Sequence, residues 1–131
     1  IEIGWGYMHR DWDLIRKILL ATDAALPGER LGERHFPGEN TAILFEHVRI
    51  LKESGYLEAA VSASKSGRGG GMFLIDRLTW DGHDLLAKMK SDAWWSKVKK
   101  TAADKGLTLT FDVIKTLALP AAKGLLGLDQ D

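Results

Sequence analysis

Residues 41–78 read TAILFEHVRILKESGYLEAAVSASKSGRGGGMFLIDRL, and the fold turns on where this stretch changes its period. Leu44, Phe45, Val48 and Leu51 recur at three- and four-residue spacing, which predicts an amphipathic helix to about Ser54 with that stripe inward. Asn40 or Thr41 stands where a side-chain oxygen caps the first turn. Gly55 stands where a left-handed residue ends the last one. Tyr56–Ala63 then reads as a strand, with Tyr56, Leu57 and Val61 apolar. Ser64–Gly71 is a glycine-rich turn, and Met72–Leu78 returns as a second strand. A helix followed at once by a hairpin with a long, flexible tip is the winged-helix arrangement.

The flanks extend this pattern. Upstream, Leu14, Ile15, Ile18 and Leu19 mark a helix over Asp11–Ala25, with Asp11 and Asp13 at its positive end and Pro27-Gly28 stopping it. The polar stretch Glu29–Asn40 shows no helical period and is read as holding one short edge strand around Arg30–Phe36. Downstream, Thr79 caps a helix through Leu85, Leu86 and Met89. Ser91-Asp92 restarts it through Trp94, Trp95 and Val98 to about Asp104, and Gly106 ends it. Thr110 caps a last helix from Phe111 that bends or stops near Pro120. The expectation is an α+β winged-helix domain, winged helix-turn-helix-like, with a β-hairpin wing and extra C-terminal helices. It spans residues 8–131, and residues 1–7 are read as a leader or remnant.

Composition narrows the class. The 131 residues suit one domain, and an apolar share of 45% with 27% charged is ordinary for a globular chain. There is no cysteine, so thiolate metal sites and disulfides are excluded. No apolar run approaches the ~20 residues that cross a bilayer, so no membrane partner is expected and a cytoplasmic location is the simplest reading. The formal net charge is zero, but residues 65–100 carry 8 Lys/Arg against 4 Asp/Glu. An anion-binding face therefore belongs to the middle of the chain.

Four blocks carry a resemblance. Met8-His9-Arg10-Asp11-Trp12-Asp13-Leu14-Ile15-Arg16 opens the patterned region. It is followed by His47–Leu57, by Arg77-Leu78-Thr79-Trp80-Asp81-Gly82-His83-Asp84-Leu85-Leu86, and by Phe111-Asp112-Val113-Ile114-Lys115. Together they resemble an uncharacterised bacterial and phage family, domain-of-unknown-function family number 2513. The resemblance implies a winged-helix-like fold and a phage or prophage setting, and it names no activity.

Three surfaces are candidates for function. In winged-helix folds the helix corresponding to Thr41–Ser54 enters the major groove and the hairpin tip touches backbone. This points to Arg49, Lys52, Lys65 and Arg68 as nucleic-acid-binding residues, with double-stranded DNA as partner. Glu39, Glu46 and Glu53 lie on or near the same face and oppose phosphate, so a homodimer that doubles the cations suits the DNA reading better. The lysines Lys88, Lys90, Lys97, Lys99 and Lys100, interleaved with Trp94 and Trp95, form a second candidate, weighed against an amphipathic helix with its tryptophans inward. The third is the apolar carboxy-terminal segment, where Phe111, Ile114, Leu117, Leu125 and Leu126 are read as partner-binding, weighed against burial in the chain's own core.

Catalysis is not expected. His9, His35, His47 and His83 show no tight ligand spacing, the glycines at 67–71 precede no Lys-Ser/Thr, and no serine stands in a Gly-x-Ser-x-Gly setting. No catalytic residue, metal ligand or cofactor is assigned. The functional expectation is a non-enzymatic DNA-binding or regulatory protein, with a protein–protein interaction module as the alternative.

Overall fold

Asp11 caps the first helix, α1 (Trp12–Ala24), its carboxylate accepting the Leu14 N–H at 3.0 Å. The computed structural model describes residues 10–64 and 70–117, and the chain divides into two units, residues 1–83 and 84–131. The expected leader, residues 1–7, lies outside the described residues. In α1 the predicted stripe of Leu14, Ile15, Ile18 and Leu19 is buried.

The polar connection after α1 holds less strand than expected. Leu31 forms a single antiparallel bridge with Ile75, its N–H donating to the Ile75 carbonyl at 3.0 Å and its carbonyl accepting in return at 2.8 Å. The chain then tightens into a 3-10 turn, Glu33–His35, so no second rung forms. Leu31 and Phe36 anchor this segment by burial.

Helix α2 (Thr41–Glu53) is capped by Asn40, whose side chain accepts the Ile43 N–H. Leu44, Phe45, Val48 and Leu51 are all buried, as their spacing requires. Gly55 ends the helix at φ 84°, a left-handed conformation that costs glycine little. Gly55 N–H reaches Lys52 O at 3.0 Å and Tyr56 N–H reaches Leu51 O at 2.9 Å, the paired bonds that close a helix end and aim the chain into a strand.

Strands β1 (Leu57–Ala63) and β2 (Gly71–Leu78) pair antiparallel, with a register shift between Glu58 and Ala59. Ala59↔Ile75 and Val61↔Phe73 share one face, and Ala60↔Leu74 and Ser62↔Met72 share the other. Phe73 and Ile75 are buried on the face that α1 and α2 cover. A residue order of helix, single strand rung, turn, helix and hairpin makes this unit α+β, with β2 flanked by β1 on one side and by Leu31 on the other.

Thr79 opens α3 (Trp80–Met89). Its hydroxyl accepts the Gly82 N–H at 3.0 Å and donates to the Gly55 carbonyl at 2.5 Å, and its own N–H donates to Tyr56 O at 3.1 Å. Within the first unit, one threonine thus caps the first turn of α3 and bonds the residues that end α2. In the second unit, Ser91 caps α4 (Asp92–Asp104), and a further helical stretch, α5, covers 111–117 behind a Thr110 cap. Leu85, Leu86, Met89, Trp95, Val98, Ala102 and Ile114 are its buried apolar residues. No helix among the described residues is long and apolar enough to cross a membrane.

Candidate functional site

The outward face of α2 is where the sequence places Arg49 and Lys52. Arg49 does not project freely from it. Its Nη2 lies 2.7 Å from Glu46 Oε1 and its Nε 3.9 Å from Glu53 Oε2, one turn to either side. Helical spacing dictates this, because residues three and four apart stand on one face. Lys52 is exposed in the last turn of α2, where a cation suits the helix dipole. At the other end Glu39 is taken by Lys17 of α1 at 2.7 Å. Two acids hold one arginine, and α2 presents phosphate with little unmatched positive charge.

Lys65 and Arg68 lie outside the described residues. The hairpin ladder that carries them is described up to its closing bond, Ser64 N–H to Gly70 O at 2.9 Å. Of the four predicted cations, Arg49 and Lys52 are among the described residues, and they share one helix.

The tryptophan–lysine run resolves residue by residue. Trp95 is buried and Trp94 is half-buried, so Trp95 offers no face for a stacked base. Lys99 Nζ sits 5.5 Å from the Trp95 ring centroid, and Lys100 pairs with Asp104 at 3.0 Å. Of the carboxy-terminal residues, Ile114 is fully buried and so presents no docking surface, while Phe111 and Leu117 are half-buried. Leu125 and Leu126 lie outside the described residues.

A different surface emerges on the outward face of the hairpin. Met72 is 79% and Leu74 41% exposed, beside the small Ala60 and Ser62 of β1. With Arg30, Arg34 and His35 along one wall they enclose a groove of about 620 Å³. Hairpins with one solvated face normally carry polar residues there. The signal was present in the run Met72-Phe73-Leu74-Ile75, which is apolar on both faces, but an unbroken run does not reveal that one face stays uncovered. Around the rim Arg30 pairs with Asp76 at 2.7 Å, and Glu33 directly precedes Arg34 in the chain.

His47 is the other residue the sequence left unread. It is 1% exposed, inside the apolar stripe of α2. Among the described residues no cluster of three His, Asp or Glu side chains is placed to hold a metal ion.

Comparison with known proteins agrees with the family resemblance, whose first three blocks fall within the match from residue 9 while Phe111–Lys115 lies beyond it. The family described as Hypothetical protein (DUF2513) matches residues 9–108. An uncharacterized protein of Haemophilus influenzae is 37% identical over 113 residues, which cover 85% of this chain and 92% of that protein. No solved structure matches.

Proposed function

The chain belongs to the family described as Hypothetical protein (DUF2513), and we propose that it is a non-enzymatic, winged-helix-type module that recognises another protein. The winged-helix element of this reading is supported by strand order. Leu31 takes the place of the short first strand, the 3-10 turn Glu33–His35 that of the second helix, α2 that of the recognition helix, and β1–β2 that of the wing.

The observation that carries protein over DNA is Arg49 held between Glu46 and Glu53. A recognition helix that neutralises its own arginine has little left for phosphate, and phosphate contact supplies most of the sequence-independent affinity for duplex DNA. The apolar groove at Met72 and Leu74 supports the same reading, since exposed apolar patches rimmed by polar residues mark protein contact sites.

A fluorescence-anisotropy titration of mixed-sequence duplex DNA at low salt tests it. The expected result is no saturable binding at roughly tens of micromolar, where non-specific DNA binders register. Saturable binding abolished by Lys65→Glu with Arg68→Glu would overturn it in favour of the second reading. That reading is a DNA-binding or regulatory protein contacting duplex through Lys52 and the wing cations Lys65 and Arg68, as a dimer. The observation favouring it is the glycine-rich tip beyond Ser64, which lets backbone approach a phosphate closely.

A further inference from the structure

We propose that an extended segment of another protein adds beside β1 as a further strand, laying large, uncharged apolar side chains into the groove over Ala60 and Ser62. This rests on the protein-recognition reading and names the kind of partner.

The backbone supplies the first half of the argument. Ile75 spends its N–H and C=O on Leu31, so in the antiparallel ladder Leu74 and Met72 turn theirs to Ala60 and Ser62. By alternation the N–H and C=O groups of Ala59, Val61 and Ala63 point away from β2. Among the described residues no strand lies on that side. Natural edges are guarded by lysine, proline, inward charges or bulges. Here the register shift between Glu58 and Ala59 and the Glu58–Arg77 pair at 2.6 Å stand at one end only. Ala59–Ala63 has no charge and no proline.

Shape and charge supply the second half. The outward floor is low along β1, at Ala60 and Ser62, and tall along β2, at Met72 and Leu74. A second copy pairing β1 with β1 would set alanine and serine against alanine and serine, and would leave that hollow unfilled. A partner strand with large side chains at alternate positions fills it. Charge agrees with an uncharged occupant. The strip itself is neutral, and Arg30 on the wall is matched by Asp76.

Panning a random dodecapeptide display library against the whole chain tests this, with the Ala60→Arg variant as counter-target. Ala60 is exposed, so the variant is expected to fold, and a thermal melt checks it. Ser62→Arg serves at the other end of the floor if Ala60→Arg melts early. Expected are proline-free peptides with large apolar residues at alternate positions that lose binding to the arginine variants. N-methylation of peptide amides in one alternating register should weaken binding about tenfold per hydrogen bond and leave the other register unaffected. No enrichment, retained binding to both arginine variants, or equal effects in both registers would overturn the proposal. Those outcomes beside a silent DNA titration remove strand addition alone. Wing-dependent DNA binding removes the reading beneath it.

Discussion

The backbone N–H of Asp11 donates to Nε2 of His47 across 2.8 Å, joining the start of α1 to the middle of α2. Because Nε2 accepts, the ring proton belongs on Nδ1, which donates to the Ile43 carbonyl at 2.8 Å. His47 is therefore a neutral structural bridge with both nitrogens occupied, inside a stripe that is otherwise Leu44, Phe45, Val48 and Leu51. Its replacement by alanine strands the Asp11 N–H and leaves a cavity, and should cost about 2–4 kcal/mol in urea melts. Asp11→Ala should cost only about 1 kcal/mol, since it removes the cap on Leu14 but keeps the backbone donor. Equal losses would mean that His47 acts through volume alone.

Gly82 gives a prediction whose sign opposes intuition. Alanine in place of glycine inside a helix ordinarily stabilises by up to about 1 kcal/mol. At Gly82 an added Cβ would stand 2.1 Å from the Tyr56 carbonyl oxygen, a backbone atom that cannot swing away. Gly82→Ala should instead destabilise by about 1–3 kcal/mol, while Asp81→Ala one residue earlier stays near neutral. A thermal melt comparing the two variants checks it, and a stabilised Gly82→Ala would refute the close approach.

What the sequence disclosed and what it hid follow from the same physics. The α2 stripe, the Gly55 stop, the hairpin, the Thr79 and Thr110 caps and the helix restart at Ser91-Asp92 were legible because each depends on residues within one or two turns. The segment Glu29–Asn40 was only partly so, because its order comes from one rung, Leu31 to Ile75, and from two distant burials, Leu31 and Phe36. Its expected strand shrank to that rung once the 3-10 turn drew the chain away. His47 was missed since a polar residue on an apolar face is equally compatible with exposure until its partner, 36 residues away, is seen. The groove was missed because Met72 and Leu74 look like core in a run where both faces are apolar. Arg49 was legible as a cation but not as a neutralised one, although Glu46 and Glu53 stand at the spacings that make ion pairs.

The phase of α2 can be checked at adjacent positions. Leu51 is fully buried and Lys52 exposed. Leu51→Ala should therefore cost about 2–5 kcal/mol. Lys52→Ala should stay within about 0.5 kcal/mol. Similar shifts in urea midpoint would place the helix in a different rotation and would remove Arg49 from the outward face.

That outward face carries the last prediction. If Glu46 and Glu53 are what keep α2 from phosphate, then neutralising them without changing their size should release Arg49. The Glu46→Gln, Glu53→Gln double variant should acquire weak binding to mixed duplex DNA that the parent chain lacks. The pairs being broken lie at the surface, with Glu46 half-buried and Glu53 exposed, so urea melts should move by about 1 kcal/mol or less. The acquired binding should fall with salt at a slope near −0.9 for each phosphate engaged, so the arginine alone predicts a slope close to −1 and Arg49 with Lys52 one close to −2. Anisotropy titrations at two salt concentrations measure this directly. A double variant as silent as the parent would show that the ion pairs are not what withholds α2 from DNA. A parent that already binds with the steeper slope would show that Glu46 and Glu53 never neutralised the face at all.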